Sequence, residues 1–229
     1  MKRVLVTGAT GEIGSAIVRY FAKNGYFVYI HYRRSEEIAQ KLLDEVKYGQ
    51  LLKFDIADKK SIKEALKDLH VEVLVNCAGI IKDKLFFFME DDEWEDVIYT
   101  NLNGLYYVTK QIIPNMIKNK AGSIVNVASI SGVVGNAGQT NYSASKGGVI
   151  AFSKALCAEV ARYNIRVNAI APGVIKSKMA EKVGKEIVKL IPAGRLGEPE
   201  EVAEVAFFLG DRATYINGEV INISGGMVR

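Results

Sequence analysis

Tyr142 and Lys146 stand four residues apart in a segment whose apolar positions, Val149, Phe152 and Leu156, recur at helical spacing, so both polar side chains leave one face of one helix. A tyrosine with its ordinary pKa of about 10 is a poor acid or base at neutral pH. An adjacent ammonium favours the phenolate and is expected to lower that value, which makes the pair a proton-transfer couple. Taken alone, the same spacing also describes a tyrosine beside a solvated lysine on any helix. Ser129 sharpens the reading. It follows the apolar run 124–128, which places it at the carboxyl end of a buried strand, where open α/β sheets bind ligands. Its hydroxyl can donate to a carbonyl oxygen as negative charge develops there. Ser131 competes for that role and equally suits a turn.

A second constellation suits phosphate. The run Thr7-Gly8-Ala9-Thr10-Gly11-Glu12-Ile13-Gly14 separates a β-branched stretch from a helical apolar pattern. In that strand–turn–helix order, backbone N–H groups and the helix dipole face a pyrophosphate, and glycines at 8, 11 and 14 permit the turn, close backbone approach and tight helix packing. A plain turn also accommodates three glycines, so it is their place after the first strand that favours a dinucleotide. At the end of the second strand an acidic residue would bind the adenosine ribose diol, and a basic one would take a 2′-phosphate. The chain reads His31-Tyr32-Arg33-Arg34-Ser35 there, without a carboxylate. NADPH/NADP+ is therefore expected, with NADH as the alternative and Arg33 and Arg34 as the phosphate clamp. Two solvated arginines in a loop are the competing explanation.

Both constellations need a scaffold that brings residues 7–14 and 129–146 together. Residues 3–7 read as a strand, and Ile13, Ala16, Ile17, Tyr20 and Phe21 follow at the spacing of an amphipathic helix. Further strands are expected at 27–31, 51–54, 72–76, 122–127, 165–171 and 219–223, with helices at 35–46, 61–69, about 94–119 and 142–162. The continuous apolar run 122–127 is typical of a parallel strand buried on both faces. The alternation predicts an α/β fold, a doubly wound seven-stranded parallel sheet with helices on both faces and right-handed crossovers. No repeat, low-complexity stretch or linker interrupts it, so residues 1–229 read as a single domain.

Composition is consistent with this. A chain of 229 residues, 49% hydrophobic, is long enough for one well-buried core. Cys77 and Cys157 lie far apart in apolar segments and read as small core residues, forming neither a metal site nor a disulfide framework. The 30 basic residues are scattered among 26 acidic ones, a net charge of +4 without the stripe that nucleic-acid binding requires. No window approaches the roughly 18 apolar residues needed to span a bilayer, and the first residues lack the features of a signal peptide. A cytoplasmic protein that meets neither membrane nor nucleic acid is expected.

The glycine loop, Asp55, Asn76-Cys77-Ala78-Gly79, Asn101, Ser129, Tyr142-Ser143-Ala144-Ser145-Lys146, Pro172-Gly173 and Gly225-Gly226, in this order along the whole chain, resemble the short-chain dehydrogenase/reductase family. Within it, segments 136–142, 191–197 and 218–226 are most similar to the 3-oxoacyl-[acyl carrier protein] reductases of fatty-acid synthesis. The resemblance implies a Rossmann-type NAD(P)(H)-dependent oxidoreductase. Tyr142 would protonate a substrate carbonyl while hydride arrives from the nicotinamide. Lys146 would lower the tyrosine pKa and hold the nicotinamide ribose, Ser129 would orient the carbonyl, and Asn101 would hold a water that resupplies the proton. The cofactor would meet Gly8, Thr10, Gly11, Glu12, Ile13 and Gly14 at its phosphates and Asp55 and Ile56 at the adenine. Asn76, Ala78 and Gly79 would lie beneath the adenosine ribose, and Pro172, Gly173, Val174 and Ser177 around the nicotinamide. Two departures stand out. The family's middle loop glycine is replaced by Glu12, with a glycine moved to position 11, so a basic residue often found at that place is missing and a carboxylate stands near the pyrophosphate.

The stretch 176–196 is expected to act as a lid over substrate, helical over 179–190 and hinged near Gly173 and Gly194, with a fixed surface helix as the alternative. Lys120 matches one of the basic positions that dock acyl carrier protein near the cleft in the resembled reductases; the other falls at Tyr163, with Arg162 adjacent. The leading expectation is reduction of a 3-oxoacyl-[acyl carrier protein] to the (3R)-hydroxyacyl form by a homotetramer built on the long helices. The alternatives are a reductase of small ketones, sugars or polyols, and a non-catalytic dinucleotide sensor.

Overall fold

The site is positioned by one sheet whose order follows from burial. In this computed structural model, which describes residues 1–177 and 185–228, seven strands pair in parallel. They are β1 (Arg3–Thr7), β2 (Phe27–Tyr32), β3 (Gly49–Lys53), β4 (Val73–Asn76), β5 (Gly122–Val127), β6 (Ile165–Pro172) and β7 (Val220–Ile223), in the order β3-β2-β1-β4-β5-β6-β7. Among the helices, α1 (Glu12–Lys23), α2 (Glu36–Val46) and α3 (Lys59–Ala65) link the first four strands. A continuous rod follows, made of α4 (Asp91–Ile98), a π-helical turn (Tyr99–Asn103) and α5 (Gly104–Asn119). The short α6 (Ser131–Val134) precedes the long α7 (Thr140–Val160), and α8 (Lys185–Lys189) and α9 (Pro199–Phe207) precede β7. None of the described helices is long and apolar enough to cross a membrane.

Side chains of β1 alternate between two cores. Val4 and Val6 pack with Ile17, Phe21, Ala39 and Phe207 under α1, α2 and α9, whereas Leu5 joins Leu74, Ile112, Met116 and Ile124 on the opposite face, under α3 and α5. Each fully buried side chain of this size stabilises the fold by about 1.5–3 kcal/mol. With both faces covered, β4 is buried throughout and β5 and β6 nearly so, while the edge strands β3 and β7 stay partly exposed.

One expectation of uniform handedness fails. Both β4-to-β5 and β5-to-β6 move across the sheet through helices on the α5 face, but β6-to-β7 continues in the same direction through α9, which packs beside α1 on the other face. That last crossover therefore has the opposite hand. The rule rests on short, tight βαβ connections, and the segment between Pro172 and Pro199 is long enough to escape it. Three helix starts also fall earlier than expected, α7 at Thr140 in place of 142 among them. The rod begins at Asp91 because Glu90 and Glu93 form a reciprocal capping box, and α3 begins at Lys59 because the Asp58 carboxylate accepts from the Lys60 N–H.

The glycine loop shows which of its glycines the fold itself requires. Gly8 has φ +64°, and a Cβ there would stand 2.6 Å from Ala78 Cα; one on Gly14 would stand 2.2 Å from the Gly8 carbonyl oxygen. Gly11 has φ −79° and only an ordinary 3.5 Å neighbour. Gly14→Ala is expected to cost about 1–3 kcal/mol, a fall in Tm of roughly 3–10 °C for a chain of this size. Gly11→Ala should leave Tm within about 1–2 °C of the parent, as expected where no strained backbone or close contact is disturbed. Differential scanning calorimetry of the cofactor-free proteins checks both.

Candidate active site

Strand order reverses between β1 and β4. Their helices leave toward opposite faces, so the carboxyl ends of these strands open a crevice. A cleft of about 1120 Å³ fills it, running from the glycine loop past Ala78 and Gly79 to Ser129, Tyr142 and Lys146.

At the catalytic end, Lys146 is buried on α7 and its Nζ donates to the Val127 carbonyl oxygen at 2.7 Å, while lying 5.7 Å from the centre of the Tyr142 ring. Burial holds the ammonium down at about 8 instead of its ordinary 10.5. Tyr142 is pushed the other way, up to about 12, because burial outweighs the opposing hydrogen bond from Ser129. The expectation that Lys146 lowers the tyrosine pKa is thus not met: burial and Ser129 set its value. The ammonium is turned to β5, and the tyrosine is held as a protonated donor. Ser129 Oγ accepts the Ser131 N–H at 3.1 Å, and Ser131 Oγ in turn donates to Gln139, whose amide donates to Asp83. This decides between the two serines. Ser129 faces the tyrosine, and Ser131 supports it.

Asn101 is buried within the π-helical turn. Its Oδ1 accepts the Ile80 N–H at 2.8 Å, and its Nδ2 donates to the Ile80 carbonyl and to Ser145 Oγ. These bonds fix residue 80 and α7. Ser145 relays that tie to the Tyr142 carbonyl at 2.7 Å.

Among the expected cofactor residues, Gly8 and residues 10–14 form one end of the cleft, with Arg33 and Arg34 beyond them. Ile56, Ala78 and Gly79 line its middle, and Pro172, Gly173 and Ser177 border the catalytic end. Glu12 is exposed in the first turn of α1, where the helix dipole favours a carboxylate. Three residues do not line the cleft. Asn76 is turned into the core, its Nδ2 donating to Thr109 and Asn126, so its side chain is not beneath a ribose. Asp55 accepts the Ala57 N–H and stands 3.7 Å from the Arg33 guanidinium. Val174 accepts the Gly197 N–H through its backbone.

The expected hinge at Gly173 is also corrected. Its N–H donates to Ile223 O, and a Cβ there would meet Ser224 Cα at 3.0 Å, so this glycine serves packing. Beyond it, Ile175 bridges to Gly197. Of the expected lid helix, Lys185–Lys189 is helical and 178–184 lie outside the described residues. Lys120 and Arg162 precede β5 and β6, whereas the cleft lies at the opposite ends of those strands. They do not border this chain's own cleft.

The cleft fits a dinucleotide in shape. A Cβ on Gly79 would stand 3.2 Å from Asn101 Oδ1 and 3.5 Å from Lys146 Nζ, so its absence keeps the floor open beside the ammonium. Two supports had no strong sequence signal. Thr7 Oγ1 accepts the N–H groups of Cys77 and Ala78, tying the ends of β1 and β4. The buried His31 ring accepts the Gly8 N–H at 2.9 Å.

Comparison with known proteins decides the family: its profile, described as short chain dehydrogenase, matches residues 2–187. The chain belongs to the short chain dehydrogenase family. It is 43% identical to 3-oxoacyl-[acyl-carrier-protein] reductase of Thermotoga maritima, over 99% of this chain and 98% of that protein. The same-named reductase of Chlamydia pneumoniae is 41% identical over 99% and 96%, and nodulation protein G of Rhizobium meliloti 42% over 99% and 96%. As a short chain dehydrogenase the protein is an oxidoreductase that uses a nicotinamide dinucleotide.

Burial of Lys146 has a measurable cost. A lysine shifted from 10.5 to about 8 carries roughly 3 kcal/mol of unfavourable charge burial at neutral pH, partly offset by its hydrogen bond to Val127. Lys146→Met is therefore expected to raise the Tm of the cofactor-free protein at pH 7 by roughly 2–8 °C while abolishing turnover. Between pH 8 and 10.5 the unfolded lysine keeps its proton and the folded one loses it, so the parent gains stability as pH rises. The gap between the two melting curves should narrow over that window; a parent more stable than the variant at pH 7 would contradict the account.

Proposed function

We propose that the protein reduces a 3-oxoacyl group carried on acyl carrier protein to the (3R)-hydroxyacyl form, using NADPH. The observation that carries the reading is Tyr142 hydrogen-bonded to Ser129, with Lys146 Nζ 5.7 Å from its ring centre, in the same cleft as the glycine loop. Near full-length similarity to reductases of that name supports the substrate class.

In this reading the bound dinucleotide supplies hydride to the carbonyl carbon. Ser129, already polarised by the Ser131 N–H, donates to the carbonyl oxygen and orients it. Tyr142 gives its proton to that oxygen as charge develops, and the value of about 12 keeps the phenol protonated and ready throughout the neutral range. Lys146, beside the open floor at Gly79, would hold ribose hydroxyls and stabilise the phenolate left behind. Gly8 and residues 10–14 bind the pyrophosphate at the start of α1. Arg33 and Arg34, at the far end of the cleft, favour a 2′-phosphate; Arg33 then divides its charge between that group and Asp55. Exposed Trp94, Tyr99 and Tyr106 on the α4–α5 rod support association of subunits through this face; the assembly is read as a homotetramer and the protein as cytoplasmic.

Steady-state NADPH oxidation with acetoacetyl-acyl carrier protein against small free ketones tests the substrate. The carrier-bound form should have the higher kcat/KM, and no advantage would overturn that assignment in favour of a free-ketone, sugar or polyol reductase. Tyr142→Phe should lose about 10²–10⁴-fold in kcat while still binding NADPH; unchanged activity would remove the mechanism.

Cofactor choice is tested separately. Arg33→Ala with Arg34→Ala should raise KM for NADPH about tenfold or more, as expected for lost charge-assisted hydrogen bonds. KM for NADH should stay nearly constant. Equal losses with both cofactors would assign the arginines to the fold and not to the 2′-phosphate.

A further inference from the structure

The first two amides of the glycine loop are both held by one residue. Gly8 N–H donates to His31 Nδ1 at 2.9 Å, and Ala9 N–H donates to the His31 carbonyl oxygen at 3.1 Å. The other ring nitrogen, Nε2, lies 3.1 Å from the Phe54 carbonyl oxygen. A carbonyl only accepts, so Nε2 carries the proton and Nδ1 is the bare acceptor that Gly8 requires. The ring is 3% exposed and lies against Phe54 with centroids 3.9 Å apart. It also lines the cleft.

We propose that His31 is a positioning residue for dinucleotide binding: its neutral ring, locked in one tautomer by the Phe54 carbonyl, sets the conformation of the phosphate loop through the Gly8 amide. The inference rests on reading the cleft as a dinucleotide site and adds a residue to it. Gly8 sits at φ +64° with its Cα facing Ala78. A peptide in that region has no regular secondary-structure partner for its N–H, and a buried donor left unpaired is costly. Without the ring acceptor the Gly8 peptide is free to turn, and the N-terminus of α1, which packs directly on the Gly8 carbonyl through Gly14, is no longer aimed by the loop. The charged groups facing the ring are Arg33 and Asp55, which act on it in opposite senses. Burial keeps the ring uncharged down to about pH 4, so the acceptor persists across the working range.

The test uses the full-length protein. His31→Phe keeps a flat ring against Phe54 and deletes the acceptor; His31→Asn restores an acceptor oxygen. Fluorescence titration at pH 7.5 should give Kd values for both NADPH and NADH about tenfold weaker in His31→Phe and within about threefold of the parent in His31→Asn. In steady-state assays KM for the dinucleotide should rise while kcat at saturation stays within about twofold. In the cofactor-free parent, ¹⁵N spectra should show Nε2 protonated and Nδ1 bare from pH 8 to 5.5, with the Gly8 amide protected from exchange; His31→Phe should lose that protection. A parent that binds neither dinucleotide would sink the cleft reading and this inference together. A parent that binds, with His31→Phe within twofold of it, would overturn the inference alone. If His31→Phe does not fold, an unprotected Gly8 amide in the parent, or a His31→Asn protein tenfold weaker, overturns it equally.

Discussion

Two neighbouring parallel strands whose helices depart to opposite faces leave their carboxyl ends uncovered, and β1 beside β4 is that pair. The rest of the site depends on how this gap is kept open and stiff. Thr7 ties the two strand ends by accepting from Cys77 and Ala78, the Gly8 backbone rests on Ala78, and Gly14 lets α1 close onto Gly8. Each contact is too close for a larger side chain or depends on one hydroxyl. A phosphate loop with freely chosen geometry is thereby replaced by one fixed from below.

The catalytic end shows the same economy with charge. Two titratable groups on one helix, one turn apart, are moved in opposite directions by burial, the lysine down to about 8 and the tyrosine up to about 12. Groups whose environments separate their pKa values in this way can divide acid and base work. The ammonium is satisfied by Val127 and the phenol by Ser129. The sequence argument that an ammonium at i+4 must acidify the tyrosine considered spacing alone. Desolvation of both groups is a property of α7 lying over β5, and no four-residue motif contains it.

What could be read from the chain was whatever repeats with a period or stands at a strand end. The alternation of β-branched runs and helical patterns yields all seven strands to within about two residues, and Ser129 follows from its place after β5. Asn101 and Lys146 were also located, since they belong to the same ordered set. The side-chain directions were not legible. Asn76 carries the right residue type at the right place, yet the register of β4 with β5 sets it opposite Asn126 and turns it into the core. His31 was read only as the lack of a carboxylate, because its role comes from Gly8 and Phe54, both 23 residues away in opposite directions along the chain. Lys120 and Arg162 were assigned by position to a surface near the cleft, and the direction of β5 and β6 puts them at the far end.

The reversed last crossover bears on how the carboxyl edge of the sheet is held. A short βα connection after β6 would have been drawn back over the α5 face by the twist of the sheet. After the longer connection α9 settles beside α1, and described residues of that connection are pinned by the Ile175–Gly197 bridge and by the Ala193 N–H on Gly225. Both pins hold described residues at the ends of this connection, and Ile191 beside them is buried. Any change in Gly8 or Thr7, by contrast, reaches the junction of β1 and β4 at once. The two ends of the sheet are therefore built differently: the last crossover is tied by single backbone contacts at its described ends, and the β1–β4 junction is locked by one hydroxyl and two glycines in close contact.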